Sequence, residues 1–163
     1  MLVSTKYEEI YPPSLKNMIK VTGESTLSRT QVLEAEHRLL TRLNFEVTFP
    51  TAFRFIERIR KLVNADEYIF TLAQYLCEFC MLVPEMVTRP ASLFGAASMY
   101  LAYKTVRKCS PWNAGITSAC GYEEKEVREL SLQIADLLRA QESKPLKEKF
   151  SGAKYYEVAK INI

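Results

Sequence analysis

The sequence has 163 residues, 48% hydrophobic and 25% charged, with a formal net charge of +3. That length holds one domain or two small ones with a real apolar core. No apolar run approaches the ~18 residues that a membrane span needs, and the mild basic excess, confined to the part after Met81, is weak for a nucleic-acid binder, whose basic residues cluster on one face. In chain order, residues 6–9 of "KYEEIYPP" read as the last turn of a helix that Pro12 and Pro13 forbid from continuing. A short helix is expected over 14–19, then a turn at "VTGES". Ser28 and Gln31 fit a capping box that opens a helix over 29–43. In it Val32, Ala35, Leu39 and Leu43 form an apolar stripe, with Leu33 and Leu40 forming a second beside it. "NFEVTFP" crosses to a helix starting near Thr51, and further helices are expected over 66–82, 90–106, 111–119 and 123–139.

The helix from Pro90, "PASLFGAASMYLAYKTV", is apolar nearly all round and is therefore expected at the centre of a bundle. Gly95, Ala96 and Ala97 allow other helices to approach it closely. The tail, "KPLKEKFSGAKYYEVAKINI", reads as a short helical turn and coil. Glycine is scarce, and Val, Ile and Thr form no alternating runs, so the fold class is all-α.

The N-terminus, "MLVSTKYEE", has neither the basic stretch nor the long apolar stretch of a secretory signal. The four cysteines are accordingly expected as reduced thiols in the nucleus and cytoplasm. Cys77 and Cys80 form C-x-x-C, but Cys109 and Cys120 lie eleven apart and do not supply the second pair a zinc site needs. With apolar helical flanks, Cys77 and Cys80 are read as buried structural residues. His37, the only histidine, has no second ligand nearby. No metal and no cofactor are expected. Arg54, Arg58 and Lys61 share one helical face and read as a solvated surface, with an anion or phosphopeptide site as the other reading. Trp112, after Ser110-Pro111, reads as a core anchor at a helix start.

The adjacent carboxylates Glu8 and Glu9 are poor acid–base partners, because neighbouring helical residues point about 100° apart. From the residues alone, 6–9 read as a solvated helix end. Glu36 lies on one face with Leu33, Leu40 and Leu43, and a carboxylate on an apolar face wants a partner. Either it meets a binding partner, or it pairs with a nearby lysine or arginine while its stem packs.

The chain also resembles itself. "MLVSTK" (1–6) lines up with "MYLAYK" (99–104), and Leu33, Leu40 and Leu43 with Val127, Ile134 and Leu137. The order is the end of a central helix, a short helix and an amphipathic helix, twice.

"MLVSTKYEEIYPP" followed by "QVLEAEHRLLTRLNFEVTFPT" resembles the cyclin box of the A- and B-type mitotic cyclins, which join K-[FY]-E-E-x-Y-P-P to a Q-V-L-x-x-E-x-x-x-L-x-x-L-x-F helix. "SLFGAASMYLAYKTV", "CGYEEKEVREL" and "KYYEVAKINI" look like the second cyclin fold and its tail. The resemblance implies a cyclin fold with the last helices of a first box over 1–49, a complete five-helix second box over 50–140 and a tail over 141–163. The first two helices and most of the third of the family's first box have no counterpart in this sequence, which makes Met1 a candidate internal methionine of a longer chain. In the chain as given, without those helices, the apolar faces of residues 1–3 and 32–43 are expected to be exposed. The M-R-A-I-L-type recruiting motif does not occur, so that activity is not carried over.

The resemblance further implies a regulatory subunit that binds and activates a cyclin-dependent serine/threonine kinase in G2/M control, with no chemistry of its own. Lys6, Glu8, Glu9 and Glu36 match polar kinase-facing positions, and Val3, Tyr7, Leu40, Phe45 and Val47 apolar ones. Two rivals stand beside it: a cyclin-fold factor that binds DNA or transcription machinery, and a chain that is inactive or competes with a complete cyclin.

Overall fold

A computed structural model describes residues 1–22, 27–141 and 143–163. Among the described residues every regular element is helical, as the composition predicts. The chain divides into two compact units, Met1–Phe49 and Pro50–Ile163.

The first unit holds α1 (Leu2–Glu8), α2 (Leu15–Thr22) and α3 (Arg29–Arg42). α1 stops before Pro12 and Pro13, and Glu9 closes it in extended conformation with its amide donating to the Thr5 carbonyl. The turn expected at 21–25 is only partly visible: Val21 and Thr22 continue α2, and 23–25 lie outside the described residues. α3 begins on the predicted capping box. The Ser28 hydroxyl accepts from the Gln31 amide, and the Gln31 side chain accepts from the Ser28 amide at 2.8 Å. α3 has no buried residue. Leu33, Leu39 and Leu43 are exposed and Val32 and Leu40 half-buried, so its apolar stripe is open, as expected.

The second unit holds α4 (Ala52–Leu62), α5 (Glu67–Cys80), α6 (Pro84–Val87), α7 (Ala91–Arg107), α8 (Ala114–Cys120), α9 (Glu124–Ala140) and α10 (Lys144–Phe150), then 3-10 turns at Ala153–Tyr155 and Val158–Lys160. α7 is central as its composition predicts: Leu93 through Ala102 are buried without interruption, and it packs on α4, α5 and α9. The stripe of α9 that matches α3 is covered here, with Val127 and Ile134 fully buried. Gly95 sits where α4 crosses α7. A Cβ there would lie 2.8 Å from the Phe55 Cβ and 2.9 Å from the Ala52 carbonyl oxygen.

Three features depart from the sequence expectation. α6 was not foreseen, being a single turn. α8 begins at Ala114 instead of 111, because the Asn113 side chain accepts from the Ile116 amide and caps it. Gly121 then ends α8 with φ +77°, a left-handed conformation that glycine adopts at no steric cost. The tail is more ordered than coil. Phe150 and Val158 are buried, and the Phe150 ring packs between Tyr75 and Tyr155 at centroid distances of 5.3 and 4.8 Å.

Cys77 and Cys80 are buried, as predicted. Burial, with Glu78 adding to it, pushes the Cys77 thiol up to about 11; burial, then Cys77, pushes Cys80 up to about 12. Thiolate is the nucleophile, so iodoacetamide at neutral pH is expected to label exposed Cys109 and spare Cys77 and Cys80 in the native chain. Peptide mapping checks this; labelling of Cys77 or Cys80 at the rate of Cys109 contradicts the packing.

Glu124 ties the start of α9 to the middle of α7 and to the segment after it. Its Oε1 accepts from the Ser110 hydroxyl at 2.6 Å and the Tyr100 hydroxyl at 3.0 Å. The Ser110 hydroxyl also accepts from the Trp112 amide at 3.1 Å, and Trp112 Nε1 donates to the Tyr122 carbonyl at 3.2 Å. The Ser110 bond, then that of Tyr100 and the charges of Arg128 and Lys104, hold the Glu124 carboxyl below its ordinary value against an opposing cost of burial. A depressed folded value means that Glu124 stabilises the fold above the unfolded value and stops doing so as pH falls through the folded one. Thermal melts from pH 7 to pH 3 should therefore show part of the acid loss of stability, and Glu124→Gln should flatten that part. An unchanged acid profile in the variant contradicts the assignment.

Candidate functional site

All nine of the predicted partner-facing residues lie in the first unit. α1 carries Val3, Lys6, Tyr7 and Glu8, with Glu9 at its C-terminal cap. α3 carries Glu36 and Leu40, and the segment after it carries Phe45 and Val47.

The fold joins two of the polar residues directly. The Lys6 ammonium donates to both Glu36 carboxylate oxygens, at 2.8 and 2.9 Å. The Glu36 side chain keeps 13% of its surface and that of Lys6 50%. Glu36 thus satisfies one of the two readings made from the sequence, since the carboxylate on the apolar face has found a lysine. At this exposure the pair contributes about 0–1 kcal/mol. The next residue makes a second link: the Tyr7 hydroxyl and the Thr48 hydroxyl are 2.7 Å apart. Consecutive residues on a helix diverge by about 100°, so Lys6 reaches α3 while Tyr7 reaches the segment beyond it.

Glu8 and Glu9 are exposed and make no ion pair among the described residues. They stand at the C-terminal end of α1, where the helix dipole disfavours negative charge by roughly 0.3–1 kcal/mol each. Local folding energetics therefore do not favour two carboxylates at this place.

Phe45 is placed at a similar cost. The turn after α3 closes with the Phe45 amide donating to the Leu40 carbonyl at 2.9 Å. It takes Asn44 to φ +48° and Phe45 to φ +59°. Asparagine tolerates the left-handed region, whereas a bulky residue there costs of the order of 1–2 kcal/mol. The phenylalanine is nevertheless 64% exposed. Val3, Leu40 and Val47 are half-buried. Ile10 and Tyr11, absent from the predicted set, are more exposed still, at 87% and 91%. Their signal in the sequence is their position between the Glu8-Glu9 pair and the two prolines, outside any helical stripe. Thr48 was missed as well, because no spacing rule links it to Tyr7.

Ion pair, exposed carboxylates and uncovered apolar side chains lie on α1 and the residues after it, on α3 and on the segment that follows α3. Such a surface is suited to docking a protein, with apolar contacts supplying area and charges supplying register.

Family models agree with this division of the chain. The model for the C-terminal domain of cyclins matches residues 50–163, and that for the N-terminal domain matches residues 1–48. The chain belongs to the cyclin family. Among its relatives, the G2/mitotic-specific cyclin-B of Emericella nidulans is 35% identical over 138 residues, covering 85% of this chain and 28% of that protein. The G2/mitotic-specific cyclin-B of Dictyostelium discoideum is 29% identical over 167 aligned positions, covering 100% of this chain and 38% of that one. The G2/mitotic-specific cyclin cig2 of Schizosaccharomyces pombe is 32% identical over 156, covering 95% and 36%. This cyclin chain thus spans about a third of the length of these relatives. No helix among its described residues is long and apolar enough to cross a membrane.

Elsewhere in this cyclin, His37 is exposed. Arg54 pairs with Glu57, and the Arg58 guanidinium donates to the Ala119 carbonyl. The basic face of α4 is thereby partly neutralised and partly spent on its own fold.

Proposed function

We propose that the chain is the regulatory subunit of a cyclin-dependent serine/threonine kinase, binding and activating it in G2/M control and doing no chemistry itself. The observation that carries this reading is the first unit's surface: a cross-helix Lys6–Glu36 pair beside exposed Glu8, Glu9 and Phe45, all at positions of the family motif. Its relatives are G2/mitotic-specific cyclins, which supports the phase.

The mechanism follows from what a kinase lacks on its own. Its C-helix glutamate must pair with the strand lysine before ATP is positioned. A rigid surface that binds the kinase better with that helix inward shifts the population by its differential affinity for the two states. On this reading Val3, Tyr7, Leu40, Phe45 and Val47 supply apolar contact. Lys6 donates to backbone carbonyls at a loop or helix end, and Glu8, Glu9 and Glu36 accept from backbone amides or basic groups. The nucleus and cytoplasm are the setting we assign, where exposed Cys109 stays a thiol.

The test mixes the purified chain with a purified, cyclin-free cyclin-dependent kinase and measures complex formation and phosphate transfer to a serine substrate. A stoichiometric complex with raised activity is the expected result. A complex without activation identifies a competitor. No complex, together with DNA binding that weakens steeply with salt, would favour the transcription-factor reading.

A further inference from the structure

Ser110-Pro111 is the only Ser-Pro or Thr-Pro dipeptide in the sequence, although the chain has seven prolines. It lies in the irregular segment 108–113 between α7 and α8, and Ser110 is exposed. Its hydroxyl holds a junction together, donating to Glu124 at 2.6 Å and accepting from the Trp112 amide at 3.1 Å. Trp112 in turn is buried, with its ring edge-on to Tyr100 at 6.1 Å.

We propose that Ser110 is a phosphate acceptor for a proline-directed serine/threonine kinase, and that the phosphate opens the Glu124–Ser110–Trp112 junction. In the step, the bond from Ser110 Oγ to the γ-phosphorus of Mg-ATP forms and the bond from that phosphorus to ADP breaks. The hydroxyl proton leaves through the kinase's base to solvent. Kinases that read Ser-Pro require an extended acceptor with no amide hydrogen after it, which Pro111 supplies.

The product has no hydroxyl hydrogen to give to Glu124, and it sets about −1.5 to −2 charges beside that carboxylate. Like charges at such a distance repel. Lys104 and Arg128 already act on Glu124, and Lys108 precedes the acceptor in sequence, while Arg107 is held by Asp66 at 2.8 Å. The phosphate therefore has cations to turn toward once it leaves Glu124. Trp112 then loses the contact that fixes its backbone, and the segment after α7 loses its bond to the start of α9, leaving Tyr100 as the hydroxyl on Glu124.

The experiment treats the folded full chain with a recombinant mitogen-activated protein kinase and Mg-ATP and maps the product by mass spectrometry. Label at Ser110 is expected in the wild type, lost in Ser110→Ala, retained at position 110 in Ser110→Thr and reduced in Pro111→Ala. Trp112 is the single tryptophan, so its emission reports the junction directly. It should shift to the red on phosphorylation, and the melting temperature should fall. Failure of the folded chain to accept label at Ser110, with or without labelling of a peptide of residues 104–116, overturns the site. Label with no change in Trp112 emission overturns the switch. Neither result bears on kinase regulation by the first unit.

Discussion

Replacing Gly95 should destabilise the second unit, modestly for alanine and severely for a larger side chain. The backbone of α4 comes within reach of a Cβ that is absent: 2.8 Å to the Phe55 Cβ, 2.9 Å to the Ala52 oxygen and 3.3 Å to the Ile56 nitrogen. These atoms belong to backbone or to the first side-chain carbon, so none can swing aside. Two effects oppose each other in Gly95→Ala. Alanine stabilises a helix interior by about 1 kcal/mol over glycine. Overpacking a dense core costs about 1–3 kcal/mol, and more where helices must separate. The second should win, since two of the contacts are shorter than relaxed Cβ atoms make and every residue around Gly95, from Leu93 to Ala102, is buried. A net loss of about 1–2 kcal/mol, or several degrees of melting temperature, is expected for alanine. Gly95→Val adds two methyl groups at the same place and should leave the second unit largely unfolded. Thermal melts followed by circular dichroism measure both. An alanine variant as stable as the wild type would show that the close approach is not a constraint.

The second large effect concerns Lys6 and Glu36, and a charge exchange separates their pairing within the fold from the proposed kinase contact. Lys6→Ala and Glu36→Ala should each weaken kinase binding by the 2–5 kcal/mol typical of one partner lost from a desolvated contact, which is about 30-fold or more in Kd. Either change also breaks the pair that joins α1 to α3, so loss of binding alone does not distinguish a contact from a brace. The combined variant Lys6→Glu with Glu36→Lys can re-form an ion pair inside the first unit but presents each charge in the wrong place to a partner. Its helicity and melting should match the wild type while binding stays lost. Recovery of binding in the exchanged variant would mean that the pair serves the chain's own fold and that the kinase contact lies elsewhere.

Local signals in the sequence proved sufficient where the physics is local. The Ser28–Gln31 box needs only residues three apart, and it forms as read. Pro12 and Pro13 forbid helix whatever surrounds them. The all-round apolar stretch from Pro90 has no polar face to offer solvent, so it is central in any fold that buries it. Cys77 and Cys80 are buried for the same reason, on the apolar helix α5. The short pieces were harder. α6 and the turns of the tail are too brief to show a period, and their burial against the bundle stabilises them more than propensity does.

The candidate site divides in the same way. Its membership came from a motif, and the sequence could say that Glu36, on an apolar face, needed a partner. It could not say that Lys6, thirty positions away, would be that partner, because the alternatives were equally consistent with spacing. Nor could it say that Phe45 would take a left-handed conformation and remain exposed, since that is set by how the turn closes onto Leu40.

The amino-acid sequence by itself determined an all-helical chain, where most of its helices start and stop, which of them is central, and, through its motifs, the resemblance to the cyclin family. The helical properties follow from caps, prolines and apolar periodicity, each acting over a few residues. Only the tertiary structure decided that Glu36 is held by Lys6, that Tyr7 is tied to Thr48, that Gly95 is pressed against α4, and that Ser110 joins Glu124 to Trp112. These are contacts between groups distant in sequence or set by the packing of whole helices, and no local preference encodes them.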